Sequence, residues 1–467
     1  MDKKTIFLFA ALATMLGIIY LTPETAGLKH QGKVALGVGV FAIMVWITQS
    51  LDDAQSGFCI VAFLVLFGAT KIGGALSGYA SGGVWIVVLG MIMAAGMERS
   101  GLSRRMALKM VTFAGNSAAR LYWMVCLVTL VMTFFIPSLA AKTLLLVPIL
   151  AQMGQAFGAE KGKSTLVKGL VFIVTITGTM FCVGILTSHA ANPITAGLLE
   201  KASGVTLAWF DWFKIGMPPA LICGLLAVPI IMWMWPPDVK DIREGQKFVH
   251  AELEKLGPMT KIEIYTLIVF LLTLTLWATD KIHTLNSTHV ALFSVIAMIA
   301  PGPLQVMTWK EAEKKVPWNV FIVYGAGLSM GSVMVSSGAA KWIAETFFYG
   351  LAGIDMKLQV VIFIWMMLGL QVLFTGAGPK TTALTPVIIA YAMAAGLPTT
   401  PFVILVGMNM LHQYLLPVSN LPNIIGLATE EITPSELIKT GAVMSLFGAG
   451  FMTIMVYTYW TWIGMFN

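Results

Sequence analysis

Lys142 and Lys380 stand in places where lysine is expensive. Each lies inside a long apolar block, 121–157 and 359–395, and a lysine at hydrocarbon depth costs roughly 2.5–3.5 kcal/mol on insertion scales. Neither block contains an Asp or Glu to offset that cost. The surroundings of the two lysines match: Lys142, Thr143 and Pro148 are followed 238 residues later by Lys380, Thr381 and Pro386. Both blocks are interrupted near their middle, the first at Pro137 and the second at Gly376, Gly378 and Pro379. A helix broken at mid-membrane exposes free N–H groups beside the partial positive charge of a helix start, which makes an anion site. Ser138, Thr143, Thr375, Thr381 and Thr382 add short hydroxyls, while Gly376 and Gly378 allow close backbone approach. The chemistry this suggests is the binding of an anion that comes and goes, with the lysines as its counter-charges. The plainer alternatives are snorkelling or carboxylate-paired lysines, and hydroxyls acting as interhelical glue.

A second pair of interruptions offers another wall for such a site. Ser188, His189 and Asn192 precede Pro193, and Ser419, Asn420 and Asn423 surround Pro422, with Asn192 and Asn423 separated by 231 residues. Asn and Pro within a crossing helix free carbonyls and contribute an amide, although a kinked helix with satisfied amides would look the same. His189 titrates in the neutral range unless it is a structural donor, and His412 and Gln413 are weaker candidates.

The elements that must position these residues follow from composition. The chain has 467 residues, 58% hydrophobic and 11% charged, where a soluble domain carries about a quarter charged residues. Unbroken apolar runs such as 215–235 and 441–462 reach the ~20 residues a crossing helix needs. An outer-membrane barrel, a soluble enzyme and a disordered chain are excluded on these grounds. The expected fold is an all-α integral membrane protein with about eleven transmembrane helices and two re-entrant hairpins, at 121–157 and 359–395. Expected spans include 5–21, 34–47, 57–68, 82–97, 166–187, 215–235, 262–277, 289–300, 318–336, 402–416 and 437–462. Cys59, Cys126, Cys182 and Cys223 lie in apolar segments without CxxC spacing and read as packing residues.

Recurrence of the lysine motif, of a Ser-Gly pair (Ser100, Ser337) and of the Asn motif makes the chain a tandem of two halves. An odd number of crossings between the copies inverts the second, which is the plan of secondary transporters. The expected division is 1–81 scaffold helices, 82–235 first repeat, 236–261 linker, 262–317 scaffold helices and 318–467 second repeat. With the amino terminus inside, inside segments hold nineteen Lys and Arg and outside segments eight, and the remaining two are Lys142 and Lys380. This bias places the amino terminus and linker in the cytoplasm and the carboxyl terminus outside. The +7 balance reports orientation and implies no nucleic-acid partner. The fourteen Trp, Trp460 and Trp462 among them, read mostly as interfacial belt residues.

At these residues the sequence resembles the divalent anion:sodium symporter (DASS) family, which includes di- and tricarboxylate transporters and exchangers. The likeness runs through Trp85 to Gly101, Pro137 to Pro148, Trp318 to Gly338, Thr375 to Pro386 and Asn420 to Gly441. It implies eleven crossings, two hairpins, a homodimer, an elevator motion and, for this chain, a bacterial inner-membrane setting. The family's symporters carry Ser-Asn-Thr at both hairpin tips, serving substrate and sodium. Here those places read Ser138, Leu139, Ala140 and Gly376, Ala377, Gly378. With both Asn and both Thr absent and a lysine beside each tip, sodium-independent exchange of small divalent organic anions is the expected activity. The alternatives are a sodium-coupled symporter using Ser138, Asn192 and Asn423, a proton-coupled carrier or an anion channel. No HExxH, GxSxG or Walker sequence supports an enzyme, and no cofactor or resident metal is expected.

Overall fold

The computed structural model describes residues 2–25, 27–136, 138–316, 318–351, 353–374 and 376–466. Among these residues the chain is helical throughout, with only two isolated bridges of extended backbone. Eleven of the described helices are long and apolar enough to cross a membrane. Their number agrees with expectation, but their membership differs. Three are arms of the interrupted blocks: Ala118–Phe135, Leu139–Ala156 and Met356–Leu373. The spans expected at 57–68 and 289–300 are instead the shorter helices Asp53–Leu66 and Ser287–Ile299, of 14 and 13 residues. The span expected at 402–416 breaks into the helix Thr399–Gly407 and the 3-10 turns Met408–His412. Apolar length is therefore a poor guide to which helices here stand alone, because an arm of 18 residues extends about 27 Å, nearly a full hydrocarbon thickness.

The two halves correspond element by element. Gly82–Ser100 and Trp318–Ser336 each lead into a short amphipathic helix, Leu102–Thr112 and Ala339–Phe347. Gly101 and Gly338 make both corners, at φ of 83° and 81°, a left-handed turn that favours glycine and explains the repeated Ser-Gly pair. Next come the two-armed segments, Ala118–Phe135 with Leu139–Ala156 and Met356–Leu373 with Ala377–Ala394. A broken helix and a long closing helix, Trp209–Met234 or Pro434–Tyr457, complete each half. The helix preceding each half packs on the other half: Asp53–Leu66 lies on Trp318–Ser336, and Ser287–Ile299 on Gly82–Ser100. Hydrogen bonds pin this exchange, from Gly78 N to Ser329 Oγ (2.8 Å) and from Thr288 Oγ1 to the Gly82 carbonyl (3.1 Å).

The two outer ends of the first interrupted block both lie against residues 238–242. Ala118 N donates to the Lys240 carbonyl and Ile242 N to the Asn116 carbonyl, at 3.3 and 3.2 Å. The far end of the block is followed by Ser164–Leu166, whose hydroxyl and amides donate to the Asp238 carboxylate. The chain thus enters and leaves the block at one end of the molecule. Partial burial opposes ionisation of Asp238, but the Leu166 amide, the Ser164 hydroxyl and the Thr165 amide outweigh it and hold its carboxyl below the usual range. In the second block, Tyr391 Oη donates to Gln359 Oε1 at 2.5 Å, joining the outer ends of its two arms.

Several ion pairs join segments distant along the chain. Cations assigned to inside segments pair with acids of inside segments, as in Arg105 with Glu263 (2.7 Å) and Lys168 with Glu436 (2.6 Å). Cations assigned to outside segments pair likewise, as in Lys281 with Asp211 and Lys33 with Glu24. One belt assignment fails. Trp460 is fully buried and donates Nε1 to the Ile215 carbonyl at 3.0 Å, whereas Trp462 is exposed. A tryptophan adjacent to a helix end packs inward when the closing helix is itself covered by Trp209–Met234, and sequence position alone does not reveal that cover.

Candidate functional site

The first tip is shaped by capping. Ser138 is the N-cap of Leu139–Ala156, its Oγ accepting from Ala141 N at 3.2 Å, so the free N–H groups of that helix start inside the protein. Lys142 occupies the first turn and is 1% exposed. Its Nζ donates to Thr133 Oγ1 (3.0 Å) on the opposite arm and to Ser188 Oγ (3.3 Å) in the first break. Thr143 Oγ1 donates back to the Leu139 carbonyl. The second tip repeats the plan with different satisfaction. Lys380, in the first turn of Ala377–Ala394, is fully buried, and its Nζ, Thr381 Oγ1 and Thr385 Oγ1 have no hydrogen-bond partner among the described residues. Thr382 Oγ1 donates to the carbonyls of Gly378 and Pro379. Gly378 is required by contact: a Cβ there would lie 2.4 Å from the hydroxyl of Tyr324. Neither lysine forms an ion pair among the described residues.

The breaks are built alike. In the first half the helix stops at Val183 and resumes as Ala191–Ser203; in the second the 3-10 turns end at His412 and Leu421–Ala428 follows. Asn192 Nδ2 donates to the Cys182 and Ile185 carbonyls, and Asn423 Nδ2 to those of Tyr414 and Leu416. Ile185 and Leu416 are the same 231 residues apart as the two asparagines, so the repeat preserves the hydrogen bond itself. These amides satisfy carbonyls that the missing helical turn leaves free. His189 Nδ1 accepts from Ala191 N, and Asn420 Oδ1 accepts from Asn423 N, each capping the helix that follows. Ser419 Oγ accepts from Leu416 N.

Tips and breaks meet at one cavity of ≈ 360 Å³, within the size range of small-ligand sites. Of the residues expected from sequence, Ser138, Ser188, His189, Gly376, Gly378 and Asn420 line it. Lys142, Thr143, Asn192, Lys380, Thr381, Thr382, Ser419 and Asn423 are buried outside that lining. Thr375 and Pro137 fall outside the described residues. Sequence reasoning missed a polar wall made by Gln49, Asp53, Asn319 and Tyr324. Asn319 follows Trp318 as Ile86 follows Trp85, so the repeat offset could have found it; Gln49 and Asp53 precede the first repeat and carry no repeat signal.

The cavity therefore presents helix starts, hydroxyls and an imidazole to a small solute, with two unneutralised ammonium groups held behind the tips. A family described as "Sodium:sulfate symporter transmembrane region" matches residues 2–466. The chain is 24% identical to a citrate/succinate antiporter of Escherichia coli (strain K12), over 100% of this chain and 99% of that protein. It is 26% identical to an L-tartrate/succinate antiporter of the same organism, over 97% of each chain. Among solved structures, the Alcanivorax borkumensis YdaH transporter superposes with a TM-score of 0.58 at 12% identity, over 94% of this chain and 99% of that one, a likeness of fold.

Proposed function

The chain belongs to the sodium:sulfate symporter transmembrane family, the DASS family, and from that premise we propose that it exchanges small divalent organic anions by a sodium-independent secondary transport. Like its family it is a transporter and not an enzyme. The cargo class is C4-dicarboxylate or tricarboxylate, as the names of the two antiporter relatives suggest. The observation that carries the reading is the convergence of two matching tips on one cavity, each with a buried lysine that no carboxylate among the described residues neutralises.

The lysines act as resident counter-charges. At an effective dielectric of about 20, unit charges about 6 Å apart attract by about 3 kcal/mol, so a dianion between two such groups repays much of their burial. An empty site keeps both charges uncompensated and is costly to carry past a hydrophobic barrier, whereas a filled one is near neutral. The carrier then returns only with another anion aboard. The hydroxyl oxygens of Thr133 and Ser188 already hold the Lys142 ammonium, which leaves a co-transported cation without those ligands. In this reading the interrupted blocks are re-entrant hairpins. Together with the broken helices they form the body that moves, elevator-fashion, against the remaining helices in a homodimer, with the amino terminus cytoplasmic.

Uptake of labelled succinate into proteoliposomes decides the matter. We expect uptake only when the vesicles are preloaded with dicarboxylate, unchanged by replacing sodium with choline. Sodium-dependent uptake into empty vesicles establishes symport instead, and currents far above carrier turnover establish a channel.

A further inference from the structure

The repeat leaves one wall of the cavity unexplained. Ile86, Val87 and Met91 line its first-half side, and the residues 233 positions later, Asn319, Val320 and Tyr324, line its second-half side. Beside the second set stand Gln49 and Asp53, to which no lining residue of the first-half side corresponds. Asp53 is the single carboxylate among the described lining residues of a cavity assigned to anions. It is exposed and enters no ion pair among the described residues. Tyr324 lines the same cavity, and its hydroxyl lies against Gly378 at the second tip. A carboxylate thus shares the cavity with the helix start that Lys380 reinforces.

Resting on the proposed anion exchange, we propose that Asp53 is a specificity-determining residue that admits dianions and rejects trianions. A carboxylate accepts a hydrogen bond from a hydroxyl or a protonated carboxyl on the body of the cargo, and repels a third ionised carboxylate at the same place. Two cargo charges face the tips, and the third position meets Asp53. The helix dipole also favours an acid in the first turn of Asp53–Leu66. That role concerns stability alone, and its loss does not alter which anion is chosen.

The test is competition against labelled succinate exchange in proteoliposomes, with citrate as competitor. It is run at mildly acidic pH, where the third carboxyl of citrate is protonated, and at mildly alkaline pH, where it is ionised. In the wild type, citrate is expected to lose about tenfold or more in potency across that range relative to unlabelled succinate. Asp53→Asn is expected to flatten this loss to within about threefold, read as the ratio to unlabelled succinate in the same variant, and Asp53→Glu to restore it. If Asp53→Asn does not fold, Asp53→Ser reads the same ratio, since serine also suits a helix start. An Asn or Ser variant with the wild-type ratio, or a wild type that takes citrate equally at both pH values, overturns the filter. Absence of any succinate exchange by the wild type overturns the proposed function instead.

Discussion

The two lysines share a repeat position but differ in their bonds. Lys142 is held by two hydroxyls, whereas Lys380 is buried with no partner for its ammonium among the described residues. Removing a buried charge that lacks partners relieves desolvation, while removing a bonded one strands its partners. Lys380→Met is therefore expected to raise the melting temperature in detergent and to weaken succinate binding about 100-fold, the equivalent of about 3 kcal/mol. Lys142→Met is expected to lower the melting temperature, with about 1–3 kcal/mol lost at the stranded hydroxyls, and to weaken binding as well. Wild-type succinate affinity in both variants removes the lysines from the site. That these residues are candidates was readable from their type and recurrence, because lysine is costly in hydrocarbon wherever it is found. That one is tied and the other free was not readable, because Thr133 and Ser188 reach Lys142 from segments 9 and 46 residues away.

At the level of elements, the conserved act is amide capping of a broken helix. Asn192 and Asn423 each satisfy two carbonyls of the preceding break, and Asn→Ala at either position leaves both unpaired. We expect a comparable fall in thermal stability for the two variants, about 1–3 kcal/mol each, measured by tryptophan fluorescence on melting. A large fall in one and none in the other contradicts their equivalence. The base of the first interrupted block gives a pH signature. Asp238 has its carboxyl held below the ordinary value of 3.8, so its stabilisation is complete above that value and is lost as pH falls through the lower, folded-state value. Asp238→Asn is expected to lower stability at neutral pH and to reduce the acid-induced loss relative to wild type. The breaks and the amphipathic corners were visible as Pro, Asn and Gly positions. The side-by-side arms were visible only as blocks too long for one crossing, since length does not tell a returning arm from a crossing helix.

At the scale of the whole molecule, the proposed cargo site joins cavity walls from both halves. Tips and breaks from both halves line one space, so a bound dianion bridges elements that are otherwise joined through packing. At 100 times its dissociation constant, succinate is expected to stabilise the wild type by about 2.7 kcal/mol, and Lys380→Met, which binds about 100-fold more weakly, by only about 0.4 kcal/mol at the same concentration. A stabilisation equal in both places the bound anion elsewhere. Membrane residence, the helical class, two related halves and a charge-bearing pair of interruptions were all legible in the linear order of residues. Each depends on composition or on recurrence along the chain, and neither needs to know which segments touch. The packing of Asp53–Leu66 on the opposite half, the inward turn of Trp460 and the presence of Asp53 and Gln49 in the cavity came only from the folded chain. These are contacts between segments hundreds of residues apart, or residues without a repeat partner, and local patterns of hydropathy hold no record of them.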